Sequence, residues 1–109
     1  MNFNIKSIEV FERQAKKLIK KYPSLKSELL VLIQKLKQEP EQGTPLGKNC
    51  FKIRLAIKSK GKGKSGGARI ITNFVIANKT IFLLSIYDKS DKETLSDKEL
   101  TELLQFVPD

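Results

Sequence analysis

Between Glu41 and Asp88 the chain carries nine basic residues, Lys48, Lys52, Arg54, Lys58, Lys60, Lys62, Lys64, Arg69 and Lys79, and no acidic one. Elsewhere twelve basic residues face twelve acidic ones, so the whole net charge of +9 belongs to this segment. A localised positive field draws polyanions, of which nucleic acid is the commonest inside a cell. Cations can also do chemistry on such a partner. RNA brings its own nucleophile, the 2'-hydroxyl; cleavage needs that hydroxyl oriented, its proton accepted, the phosphorane charge neutralised and the leaving oxygen protonated. Arginine suits the neutralising task through its forked donors. A lysine becomes a serviceable base where neighbouring cations make its protonation costly, which nominates Lys52 beside Arg54 and Arg69. Tyr87 can stack on a base or assist proton transfer, and Asp88 is a further acid-base candidate.

Other chemistries find little support. The chain has no histidine and a single cysteine, Cys50, and its basic segment has no acidic cluster. Zinc sites, Ser-His-Asp triads, paired-carboxylate glycosidases and two-metal nucleases therefore lack their residues, and no metal or cofactor is expected. The stretch KSKGKGKSGG, residues 58–67, tempts a phosphate-loop reading, but the position of the first glycine in G-x-x-x-x-G-K-[ST] holds Lys58. A strand-like run, ARIITNFVIA, follows it where a helix would have to start.

The elements that must hold these residues are readable from periodicity. Phe11, Ala15, Leu18, Ile19 and Tyr22 form the stripe of an amphipathic helix over residues 11–22, ended by Pro23; its lysines read as a solvated face offset by Glu9 and Glu12. Ser24 is a candidate N-cap for a second helix with the stripe Leu25, Leu29, Leu32, Ile33 and Leu36, which stops before Pro40. After the linker EPEQGTPLG, the runs FKIRLAIK, ARIITNFVIA and TIFLLSIYDK predict a three-stranded antiparallel meander over residues 51–89. NFNIKSI at the start has the alternation of an edge strand. Ser96 and Glu99 form a capping box for a short last helix, with Leu95 placed to staple onto Leu100 and Leu100, Leu103, Leu104 and Val107 as a docking face.

Strand alternation then sorts the faces. The even positions Ala68, Ile70, Phe74 and Ile76, and Phe82, Leu84 and Ile86, are the more apolar sets and should face the core. A three-residue connection, 78–80, pairs Asn73 with Ser85, Ile71 with Tyr87 and Arg69 with Lys89. Lys52, Arg54 and Lys58 then share one face with Arg69, Asn73, Ser85, Tyr87 and Lys89. Crowded cations repel unless an anion occupies the site.

One domain spans residues 1–109, too short for two cores. The lone Cys50 has no internal disulfide partner and is assigned no role. No leader pattern and no apolar run of about 20 residues is present, so a cytoplasmic protein that does not span a membrane is expected.

The order of a helical hairpin, then FKIRLAIKSKGKGKSGGARIITNFV, then IFLLSIYDK, resembles the RelE/ParE superfamily of bacterial toxin-antitoxin toxins over nearly the whole chain. The likeness is strongest to the RelE/HigB-type branch, in which a KIR strand, a GKG and GG-(A/S)-RII hairpin and an LL-x-IY-x-K strand recur. It implies an α+β fold, with an N-terminal helical hairpin packed on a small twisted antiparallel sheet and a short C-terminal helix. It also implies a ribosome-dependent, metal-free mRNA interferase that leaves a 2',3'-cyclic phosphate and is held in check by a cognate antitoxin. Carried across, the family's basic strand residues fall on Lys52, Arg54, Arg69 and Lys89, with Tyr87 the nearest counterpart of its tyrosine. Arg54 and Lys89 depart from RelE itself, which leaves the proton donor open. The loop lysines Lys58, Lys60, Lys62 and Lys64 are read as electrostatic guides to ribosomal RNA and message. Two alternatives share parts of the pattern: a ParE-like DNA gyrase inhibitor and a non-catalytic RNA- or ribosome-binding module.

Overall fold

The stripe of Phe11, Ala15, Leu18 and Ile19 winds into helix α1 (Glu9–Lys21), with Glu9 and Glu12 in its first turn and Lys20 and Lys21 in its last, each favourable to the helix dipole. Helix α2 (Leu25–Gln38) buries Leu25, Leu29, Leu32 and Leu36. The described residues of this computed structural model are 3–61, 63, 66–92 and 94–108. Ser24 does not cap α2 as expected: its backbone is already helical and its hydroxyl bonds Ser59 Oγ at 2.8 Å and Glu28 Oε1 at 3.2 Å, tying the helix to the lysine loop.

Five strands form one sheet in the order β1 (Asn4–Ser7), β5 (Thr80–Asp88), β4 (Ala68–Val75), β3 (Cys50–Leu55) and β2 (Thr44–Gly47). The expected meander is β3-β4-β5. The sheet is nonetheless mixed rather than wholly antiparallel, because β1 runs parallel to β5 at one edge, the α1–α2 hairpin having carried the chain from β1 to β2 at the other. The linker also supplies a strand: β2 pairs antiparallel with β3 through a turn in which Lys48 and Asn49 both have left-handed φ, 56° and 59°. Its Pro45 is tolerated because the strand lies at an edge.

The β4–β5 register differs from the expectation. The connection contains a 3-10 turn, Ile76–Asn78, followed by Lys79 at φ 51°, so Val75 pairs with Thr80. That start would put Arg69 opposite an even residue. A β-bulge restores the parity: Ile71 pairs with Ser85 but Thr72 with Leu83, leaving Leu84 as the extra residue. Arg69 consequently lies opposite Tyr87 rather than Lys89, Ile71 opposite Ser85 rather than Tyr87, and Asn73 opposite Phe82 rather than Ser85.

The row Ile53, Ile70 and Ile86 faces the helical hairpin, where Val31 and Leu32 of α2 line a cleft with Ile53 and Leu55. Helix α3 (Asp97–Leu104) begins with the expected capping box, Glu99 N donating to Ser96 Oγ at 3.1 Å and Ser96 N to Glu99 Oε1 at 3.0 Å. It lies on the opposite side of the sheet, with Leu100 buried and Lys48 Nζ donating to Thr101 Oγ1 at 2.7 Å. Among the described residues, no helix is long and apolar enough to cross a membrane.

Candidate active site

The bulge and the β3–β4 register together build two rows on the α3 side of the sheet: Arg54, Arg69 and Tyr87, and beside it Lys52, Ile71 and Ser85. Residues directly opposite on paired strands have Cβ atoms about 4.5–5.5 Å apart, and diagonal neighbours remain within reach of long side chains. Arg54 and Arg69 are therefore immediate neighbours, with Lys52 one step along β3. Neither row contains an acid. Arg54 is exposed and Lys52 half-buried, whereas Arg69 is only 3% exposed and donates from Nη1 to Ala68 O at 3.1 Å.

The face is not an open platform. Ile71, Ser85 and Tyr87 are buried, and Ser85 and Tyr87 line a groove of about 380 Å³ with Val10 and Gln14 of α1 and Leu103 and Phe106 at the C-terminal end. Ammonium Nζ of Lys92 stands 6.0 Å from the centre of the Tyr87 ring and forms an ion pair with Glu99. That hydrogen bond from Lys92, aided by the Ser96 backbone N–H, holds the Glu99 carboxyl at about 2. Gln14 serves the same edge: its Oε1 accepts from Ser85 Oγ and from Ile86 N, both at 3.0 Å, where β1 has ended and β5 would otherwise lack a partner. Sequence patterning missed Gln14 because it sits outside the apolar stripe of α1. The Lys92–Glu99 pair is likewise not a helical neighbour pair, so no spacing rule reveals it.

The other expected site residues are dispersed. Asn73, placed on the cationic face by sequence, is 6% exposed, and its Nδ2 donates to Lys48 O and Asn49 O at 3.1 and 3.3 Å, so it braces the β2–β3 turn. Cys50 is buried beside it and its thiol is pushed up by burial, against a smaller lowering from Asn73. Lys89 lies one residue past β5, half-buried, its backbone N–H donating to Gly67 O at 3.0 Å. Lys58 is not on the sheet face, because β3 ends at Leu55; it sits exposed in a 3-10 turn, Lys58–Lys60. Lys62 and Lys64 lie outside the described residues.

Lys60 and Asp88 find each other instead of a solute. Lys60 Nζ forms an ion pair with Asp88 Oδ1 and donates to Ser90 Oγ at 2.8 Å, with side chains only 9% and 2% exposed. Asp88 also accepts from Ser90 N at 2.9 Å and from Tyr22 Oη at 3.1 Å. Burial alone would raise its carboxyl; the hydrogen bonds, led by that from Lys60, outweigh it and hold the group down at about 2. An acid so firmly ionised, on the helix side of the sheet, is a poor proton donor to the cationic face.

The family model for the RelE toxin of the RelE/RelB toxin-antitoxin system matches residues 5–107. Among solved structures, a free-state mutant of the E. coli toxin RelE superposes with a TM-score of 0.64 at 16% identity, over 99% of this chain and 100% of that one. The isolated E. coli RelE toxin gives a TM-score of 0.52, also at 16% identity, over 96% and 99% of the two chains. At that identity the superpositions establish a shared fold. With the family match across almost its whole length, the chain belongs to the RelE toxin family.

Proposed function

We propose that this toxin is a ribosome-dependent endoribonuclease that cuts messenger RNA. The observation carrying this reading is the juxtaposition of Arg54, Arg69 and Tyr87 in one cross-strand row with Lys52 beside them. Lys52 accepts the proton of the 2'-hydroxyl as its oxygen attacks the adjacent phosphorus. Arg54 from the surface and Arg69 from behind it neutralise the charge that builds on the phosphorane. The bond to the 5'-oxygen then breaks, and the products are a 2',3'-cyclic phosphate and a 5'-hydroxyl.

Tyr87 lines the groove beside the row, buried rather than presented to a base as the sequence suggested, and Lys89 adds positive field at the end of β5. Lys58, Lys62 and Lys64 guide the polyanion toward the rows, each contributing little alone. The expected partners are the ribosome with its bound message and a cognate antitoxin that holds the toxin inactive. The test is to add antitoxin-free protein to translating ribosomes and map message ends. Internal cuts bearing cyclic phosphates are expected; intact message from a folded preparation overturns the reading.

A further inference from the structure

The lysine loop is anchored at both ends. On its near side, Lys58 N donates to Glu28 Oε2 at 2.8 Å and Ser59 N to Ser24 Oγ at 2.9 Å, which fixes the 3-10 turn to α2. On its far side, Gly67 closes onto β3 so tightly that a Cβ there would lie 2.1 Å from Leu55 O, and its own carbonyl accepts from Lys89 N. Between these points Lys60 reaches back to Asp88 and Ser90, and its ammonium stands 5.8 Å from the Tyr22 ring. Both sides of the loop thus meet at one short segment, 88–90, directly after Tyr87. Both side chains of the pair are almost wholly buried, so the pair fixes the position of the turn against the end of β5.

We propose that the Asp88–Lys60 pair is a clasp that holds the lysine loop beside the Arg54, Arg69 and Tyr87 row, and that both are positioning residues for RNA capture. This rests on the RNA-cleaving reading. Positive charge acts over about 8 Å at physiological salt, so the exposed Lys58 strengthens the site only when the turn that carries it is held close to it. Lys60 therefore works through the placement of Lys58 and its neighbours, without touching RNA.

Asp88→Asn, Lys60→Met and the double substitution test this with two readouts. In the free protein, the Lys60 and Gly61 amides, which donate to Ile57 O and Lys58 O, should exchange on the order of tenfold faster in each variant, with the Ile70 amide reporting separately the loss of global stability. On ribosomes, KM for message should rise on the order of tenfold with kcat within about twofold, and the double variant should be no worse than either single one. Either of two results overturns the proposal. In one, turn exchange is unaltered in all three variants. In the other, Lys60→Met alone weakens RNA binding and lowers its logarithmic salt slope by about 0.7, the mark of a direct phosphate contact, while Asp88→Asn does not. If the protein cuts no RNA, the exchange measurement still reads the clasp, so the two failures are separable. Should Asp88→Asn not fold, Lys60→Met supplies the same readouts.

Discussion

The two faces of the central sheet place charge differently. On the hairpin side, Ile53, Ile70 and Ile86 form a dry row, and the one acid at the end of β5, Asp88, is matched to a lysine, a tyrosine hydroxyl and a backbone N–H. On the α3 side, Arg54 and Arg69 stand directly opposite each other on paired strands with Lys52 alongside, while Lys92 and Glu99 form an ion pair in the neighbouring groove. Matched charge gives a defined shape; neighbouring cations present the kind of donors that a phosphate takes up.

The contrast can be broken from either side. Ile70→Ala, at a fully buried position, should cost about 2–5 kcal/mol of stability in urea unfolding and leave the chemistry of the surviving folded fraction intact. Arg54→Ala should do the reverse. Cleavage on ribosomes falls on the order of a hundredfold or more, as for loss of one charge-stabilising donor, with stability within about 0.5 kcal/mol because the side chain is exposed. An Arg54→Ala variant that unfolds readily but still cuts would show that the two faces are not functionally distinct.

Acid sharpens the comparison. The Asp88 carboxyl is held at about 2 against an ordinary 3.8, so its contribution is complete above about pH 5 and is lost as pH falls through 3.8 toward 2. A shift of that size is worth roughly 2 kcal/mol, and Asp88→Asn should flatten that part of the acid limb in a pH series of unfolding curves. Glu99 is lowered in the same direction by Lys92 and titrates over the same range, so Glu99→Gln is the needed control. The smallest effect is expected at the start of α3. Ser96→Ala removes one half of the capping box and should lower stability by about 1 kcal/mol, leaving Arg54, Arg69 and Lys52 in place.

Legibility followed the range of the interaction. Both long helices, the meander, the edge position of β1 and the Ser96–Glu99 box were visible because each rests on neighbours within a turn or on strict alternation. The face shared by Lys52, Arg54, Arg69, Ser85 and Tyr87 was legible for a less secure reason. The assumed turn was one residue too short, and the Leu84 bulge returned the strands to the parity that burial of Ile70 and Ile86 demands. Strand β2 was hidden by its Pro45 and by its length of four residues, and the parallel pairing of β1 by the two helices and three strands that separate it from β5 along the chain.

By itself the sequence determined a single α+β chain, a histidine-free cationic segment and the residues that chemistry on a phosphate would need, because composition and periodicity are local properties of the chain. Only the tertiary structure decided which cations lie together. It set Arg69 against Arg54 and Tyr87, buried it, turned Lys60 inward to Asp88 and laid α3 beside the same face. Those outcomes depend on a bulge, a turn geometry and contacts between residues up to several tens of positions apart, which burial and packing select together and no local pattern encodes.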